Sequence, residues 1–153
     1  MSLISILLVA VAVLTLSLGL LSFLGAQKND RKRTVWVLVS DIGAAIWIIS
    51  MAIFLALEPA GNNVDMVALV SINGIYIGTL LMVTAILGYA CWQYVFGKIA
   101  TILSAIVSCV FAFLIITDHT ILYTGYEITN QNNTVHLVNG WFYWLYVLAL
   151  VVM

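Results

Sequence analysis

Charged residues are scarce in this chain of 153 residues: Lys and Arg together number 5, Asp and Glu number 6, and 65% of the residues are hydrophobic. A water-soluble domain needs far more polar surface than this. The formal net charge of -1 also gives no electrostatic support for a nucleic-acid partner. The composition therefore excludes an ordinary soluble domain and predicts a protein whose main partner is the lipid bilayer.

Residues that carry catalysis or bind metals are also few. The two cysteines, Cys91 and Cys109, lie inside apolar runs and are predicted to be small packing residues rather than a disulfide. The two histidines, His119 and His136, lack the tight spacing of a metal site. The sequence has no glycine-rich phosphate loop and no nucleophile motif. We therefore expect no enzymatic activity, no metal and no cofactor.

Long apolar runs are what the chain does contain. The five predicted spans are 3–25, 35–57, 66–96, 99–116 and 140–153. Since about 20 apolar residues cross a bilayer, the pattern predicts an all-α polytopic membrane protein, with a third helix long enough to tilt or protrude. The fifth run, at about 14 residues, is too short to cross. We expect the chain to stop inside this fifth transmembrane helix and to be part of a longer protein.

The basic residues indicate how the chain is threaded through the membrane. They lie in two breaks between the runs: Lys28, Arg31, Lys32 and Arg33 in the first break, and Lys98 in the third. Basic residues beside membrane spans are retained in the cytoplasm. The pattern therefore predicts that the N-terminus and the polar loop 117–139 lie outside, and that the fifth run heads towards the cytoplasm.

The polar loop between the fourth and fifth runs has its own pattern. Segments 120–129 and 134–138 are rich in β-branched and aromatic residues, and residues 130–133 read Asn-Gln-Asn-Asn, which favours a turn. The pattern predicts an outer β-hairpin between the fourth and fifth helices. This hairpin is either a lid over the helices or merely an ordered connector.

Within the predicted spans, one ionisable residue is a candidate switch or packing residue, and one glycine pair is a candidate helix-packing face. Asp41 lies roughly 9 Å inside the second span, where a carboxylate is costly unless it has a partner or a proton. It is either an intramembrane switch or relay residue, or a hydrogen-bonded packing residue. Gly74 and Gly78, four residues apart in the third span, are typical of a face that a neighbouring helix approaches closely.

Several polar and aromatic residues are candidates for binding a ligand from the outer side. Asn73 and Tyr76 lie on one side of the third helix, and Trp47 lies at a similar depth on the second. Asp118 and His119 begin the outer loop. Tyr143 follows the loop at the start of the fifth run and completes the candidate pocket. The alternative is that the aromatic residues serve only for packing.

Three segments together resemble a known family. They are Ala44-Ala45-Ile46-Trp47, Ile115-Ile116-Thr117-Asp118-His119 and Asn139-Gly140-Trp141-Phe142-Tyr143. With the bare outer N-terminus and the basic first inner loop, they are similar to the N-terminal seven-helix sensor region of bacterial membrane histidine kinases, which also precedes diguanylate cyclase domains.

The resemblance implies an input module of the bacterial inner membrane, which passes an unidentified small-molecule signal inward by helix movement. A cytoplasmic output domain would follow the last helix, and the full-length protein would work as a homodimer. Two other functions stay open on the sequence alone. One is a small ion- or proton-coupled transporter or channel subunit that uses Asp41, and the other is a packing subunit of a larger membrane complex that uses Gly74 and Gly78.

Overall fold

Five helices follow one another along the chain in the computed structural model, which describes residues 3–28, 30–57, 65–118, 120–129 and 134–152. They are α1 (Leu3–Gly25), α2 (Arg31–Leu57), α3 (Asp65–Cys91), α4 (Val95–Thr117) and α5 (Trp141–Val152). The first four are long and apolar enough to cross a membrane, as a multi-pass membrane protein requires. At 12 residues, α5 is shorter than a span, so the described part of the chain has four such helices rather than five.

The boundary between α3 and α4 differs from the sequence prediction. The third helix ends at Cys91 rather than near residue 96, and α4 begins at Val95 rather than near residue 99. Gly97 therefore lies inside α4. A Cβ atom at Gly97 would collide with the carbonyl oxygen of Cys91, so this glycine permits the tight turn between the two helices. Lys98 consequently lies within the first turns of α4 and not in a loop.

The second helix also begins earlier than predicted. It starts at Arg31 instead of residue 35, so the basic cluster forms its first turn. Arginine and lysine are good helix formers, and a helix can continue beyond the apolar run that crosses the membrane. The apolar run in the sequence marks the bilayer core rather than the end of the helix.

Helix α3 occupies the centre of the arrangement. Helix α1 packs against α2, α2 packs against α3, and α3 packs against α4. One apolar core lies where α3 and α4 meet α5. Its buried members are Leu69, Ile72, Leu80, Ile115, Leu122, Phe142 and Tyr146. Large apolar side chains are exposed on the outer faces of α1, α4 and α5, as expected for surfaces that face lipid.

Between α4 and α5 the backbone forms two short antiparallel strands, β1 (Tyr123–Thr129) and β2 (Thr134–Asn139). Their pairing is irregular near Tyr123. The turn predicted at 130–133 lies outside the described residues. At the base of the strands, the backbone N–H of Gly140 donates to the carbonyl oxygen of Leu122 at 2.6 Å. This contact ties the start of the loop to the residue that precedes α5.

The two basic breaks meet at one end of the bundle, called here the basic end. The Arg33 guanidinium on α2 donates to the Gln93 side-chain oxygen in the α3–α4 turn at 2.7 Å. The indole rings of Trp36 and Trp92 lie 5.4 Å apart between ring centres. Gly88 provides the space for this pair, because a Cβ there would collide with the Trp36 ring. Both breaks therefore lie at the same end of the bundle.

Candidate functional site

Three tyrosines join α5 to the central helix, and we call them the tyrosine cluster: Tyr76 on α3 and Tyr143 and Tyr146 on α5. Tyr143 and Tyr146 are three residues apart, so they lie on one face of the helix. The ring of Tyr76 meets both rings edge to face, at 6.5 Å from Tyr143 and 4.9 Å from Tyr146 between centres. Such edge-to-face pairs are favourable because the positive edge of one ring faces the negative face of another.

Tyr146 is the best-buried member of the cluster, with 1% of its surface exposed. Its hydroxyl donates to the backbone carbonyl oxygen of Tyr76 at 3.0 Å, across 70 residues of sequence. A buried phenol needs such a partner, because leaving its hydroxyl unpaired in an apolar interior is costly. The hydrogen bond therefore fixes the depth of α5 along α3.

The aromatic contacts continue onto α4. The ring of Phe111 lies 5.1 Å from Phe142 and 5.9 Å from Tyr146 between centres. Helix α5 is thus held between α3 and α4. The sequence interpretation missed Phe111 and Tyr146, although the spacing of Phe142, Tyr143 and Tyr146 on a short helix is a signal that could have indicated two adjacent packing faces.

The structure brings Tyr76 and Tyr143 together, but it distributes the other candidate ligand residues. Asn73 lies one turn before Tyr76 on α3 and is buried, with 3% exposed. Trp47 lies on α2, where its backbone N and its Cβ approach Gly78 of α3. The candidate ligand residues are therefore distributed over three helices, α2, α3 and α5.

The candidates in the outer loop lie apart from the tyrosine cluster. Asp118 ends α4 and is exposed, and its carboxylate accepts hydrogen bonds from the backbone N–H and hydroxyl of Thr120 at 2.9 and 2.7 Å. This is a local turn that stabilises the helix end. His119 lies outside the described residues. Among the residues that are described, no three His, Cys, Asp or Glu side chains gather as a metal ion would require.

Asp41 lies at the contact between α1 and α2. Its carboxyl group occupies the space beside Gly19, where a Cβ atom would collide with the Asp41 Oδ2. On its other side, Asp41 borders a cavity of 250 Å³ together with Ser40 and Tyr89. Glycine at position 19 thus lets the carboxyl group fit between two helices.

The polar residues Thr101, Ser104 and Ser108 of α4 have hydrogen-bond partners. The Thr101 hydroxyl donates to the carbonyl of Gly97 within α4. The hydroxyl oxygen of Thr84 on α3 lies 3.1 Å from that of Ser104 and 2.8 Å from that of Ser108. We call these three residues the hydroxyl cluster; all are buried. Their mutual hydrogen bonds connect α3 to α4 and satisfy polar groups inside the bilayer.

The glycine pair of α3 faces α2. A Cβ atom at Gly74 would collide with the Ser50 hydroxyl, and one at Gly78 would lie 2.6 Å from the Gly43 carbonyl oxygen. These glycines allow the backbones of α2 and α3 to approach closely. The face is used inside this chain, which leaves it unavailable as the contact face of a larger complex.

No protein-family model, curated protein sequence or solved structure matches this chain. The features that carry chemical information are the tyrosine cluster, the hydroxyl cluster, and Asp41 beside Gly19.

Proposed function

We propose that this chain is the membrane-embedded input region of a bacterial signalling protein, which relays a small-molecule signal inward by helix movement. The observation that carries the proposal is the hydrogen bond from Tyr146 to the backbone of Tyr76. It couples α5, the helix that directly follows the outer loop, to α3, the helix against which α2 and α4 pack. The resemblance to sensor regions of histidine kinases supports the same function.

The coupling would work through α5. The loop base is tied to the start of α5 by the bond between Gly140 and Leu122, and Leu122 is wholly buried in the same core as Tyr146. A ligand that binds under the paired strands, with these strands as a lid, would displace α5 along α3. A signalling protein needs such a change to alternate between two packings, since a ligand can only shift an equilibrium between states that differ in affinity for it.

The proposal includes an orientation and a context. The basic end lies in the cytoplasm of a bacterial cell with the N-terminus outside, because the basic residues gather there. The output domain follows further spans on the cytoplasmic side, and the full-length protein works as a homodimer. Extending the reading frame beyond codon 153 tests this directly. We expect two more spans and then a kinase or cyclase domain, and a stop codon at that position would contradict the proposal.

The coupling has its own test in the full-length protein. Removal of the Tyr146 hydroxyl by Tyr146→Phe should change basal output in membrane vesicles, measured as autophosphorylation or cyclic dinucleotide synthesis at equal protein level. Tyr94→Phe is the matched control, because Tyr94 is exposed and immediately precedes α4, whereas α5 contacts α4 at Phe111. Equal output from wild type and Tyr146→Phe would refute the role of this hydrogen bond.

A second candidate function is ion- or proton-coupled transport by Asp41. The cavity that Asp41 shares with Ser40 and Tyr89 favours it, since an intramembrane carboxylate beside polar groups is typical of relay sites. Proton flux in proteoliposomes that disappears with Asp41→Asn would establish transport. Absence of flux in the wild-type protein would leave the sensor function as the better explanation.

A further inference from the structure

A cleft runs between α2 and α4 over the surface of α3, and we call it the α2–α4 groove. Two cavities of 190 and 380 Å³ form it. Both are bordered by Trp36 of α2 and by Ala105 and Cys109 of α4. The groove exists because α4 presents small side chains here, with Thr101, Ala105 and Cys109 following one another at four-residue spacing.

The walls of the groove are apolar. Its floor is built from aliphatic residues of α3 and from Thr84, whose hydroxyl is already bonded within the hydroxyl cluster. Water would find almost no hydrogen-bond partner in such a space. The occupant must therefore be a hydrocarbon group.

The length of the groove matches one leaflet of a bilayer. Along α4 its wall extends from Thr101 to Val110, which is roughly 14 Å at the helical rise of 1.5 Å per residue. The hydrocarbon core is about 30 Å thick, so this is close to half of it. An apolar cleft of this length suits a single acyl chain of that leaflet.

The basic end of the groove carries positive charge. Arg33 lies one turn before Trp36 on α2, and Lys98 lies one turn before Thr101 on α4, so both flank the opening. The partner of Arg33 is the neutral side chain of Gln93, which orients the guanidinium without cancelling its charge. Trp36 and Trp92 line the groove at this end, at the level where tryptophan prefers the membrane interface.

We propose that the α2–α4 groove binds one anionic phospholipid from the leaflet that faces the basic end. One acyl chain lies in the groove against Trp36 and Ala105, and the phosphate group contacts Arg33 and Lys98. The combination of an apolar cleft one leaflet deep with two cations at its open end selects an anionic lipid over a zwitterionic one. This inference does not depend on the proposed sensory function.

The test is native mass spectrometry of the protein taken from vesicles of equal parts phosphatidylcholine and phosphatidylglycerol into mild detergent. We expect phosphatidylglycerol to be retained preferentially by the wild type. Ala105→Leu fills the groove and should abolish this retention, whereas Ala100→Leu, the same change on an exposed face of α4, should not alter it. Equal retention by these two variants would overturn the proposal.

A separate experiment tests whether retention of phosphatidylglycerol requires the positive charges of Arg33 and Lys98. Replacing Arg33 and Lys98 together by Gln should weaken phosphatidylglycerol retention roughly ten-fold, because each cation near an anionic headgroup adds to the affinity. Lys28→Gln with Arg31→Gln removes the same charge from the same end, and the Arg31 guanidinium lies over the Phe23 ring of α1 rather than at the groove. A loss as large in this control would show a general attraction to the membrane surface and would overturn the assigned site.

A measurement without groove substitutions guards against misfolded variants. With Trp47, Trp141 and Trp144 changed to Phe, the remaining fluorescence comes from Trp36 and Trp92. Phosphatidylglycerol brominated on its acyl chains should quench it more strongly than phosphatidylcholine brominated at the same positions. Equal quenching by the two lipids at equal concentration would overturn the preference for an anionic lipid.

Discussion

Tyr146 allows the energetic role of the tyrosine cluster to be divided into a hydrogen bond and a packing contribution. Tyr146→Phe removes only the hydroxyl that donates to the Tyr76 carbonyl at 3.0 Å. That carbonyl lies within α3, where its own helical hydrogen bond remains, so no acceptor is left wholly unsatisfied. Hydrogen bonds between membrane helices contribute about 0.6 kcal/mol on average. We therefore expect a loss of about 0.5 to 1 kcal/mol in the free energy of unfolding.

Tyr146→Ala should cost considerably more. The ring lies 4.9 Å from Tyr76 and 5.9 Å from Phe111, and its removal leaves a void between α3, α4 and α5. Deleting a buried aromatic side chain costs about 3 to 5 kcal/mol, because the surrounding structure only partly collapses. The ratio between the two substitutions thus measures how far α5 is held by packing and how far by the hydrogen bond.

Reversible unfolding in mixed micelles with increasing sodium dodecyl sulfate, followed by tryptophan fluorescence, would measure these free energies. Tyr94→Phe, at a residue that is 62% exposed, serves as the control and should be neutral within about 0.5 kcal/mol. If Tyr146→Phe lowered the free energy of unfolding by more than about 2 kcal/mol, the hydrogen bond would contribute more than interhelical hydrogen bonds usually do, and the expected division between hydrogen bond and packing would be wrong. If Tyr146→Ala cost less than about 1 kcal/mol, α5 would not pack against α3 as described.

Two further predictions concern contacts between helices, and a third concerns the orientation in the membrane. Gly78→Leu should separate α2 from α3 and cost about 2 kcal/mol or more, while Gly25→Leu, which meets nothing within 4 Å, should be tolerated in the same unfolding assay. Thr84→Val should destabilise the protein by about 1 kcal/mol, since it removes both hydroxyl contacts between α3 and α4; an unchanged stability would contradict this. In a background without native cysteines, a membrane-impermeant maleimide should label Asp118→Cys on intact cells and Lys28→Cys only after lysis, and the reverse pattern would refute the proposed orientation.

The sequence predicts the membrane helices well because bilayer thickness sets a minimum apolar length that is easy to read. Four of the five predicted spans are long and apolar enough to cross a membrane, whereas α5, at 12 residues, is shorter. The boundary between α3 and α4 was predicted less well, because the predicted third span continues to residue 96 whereas α3 ends at Cys91 and α4 begins at Val95. A glycine that ends a helix and a glycine that lets two backbones approach are identical in sequence, and only the position of Cys91 distinguishes them.

The candidate site was harder to predict than the helices. In a soluble protein, the polar face of each helix shows which side must face water, but here the lipid-facing and protein-facing sides are equally apolar. Hydropathy therefore does not show that Tyr146 meets Tyr76, or that Thr84 meets Ser104 and Ser108. The polar and small residues were identified individually, whereas their partners depend on helix rotation, which packing determines.

The order of helix packing has a consequence for how the protein assembles. Because α1, α2 and α3 each pack against the next helix in the chain, α2, α3 and α4 each find a partner soon after they leave the ribosome. Helix α5 is different, since Tyr146 must reach back 70 residues to Tyr76. Contacts between distant residues form slowly, because a long loop must close first. The tyrosine cluster is therefore expected to form last, as the step that closes the bundle.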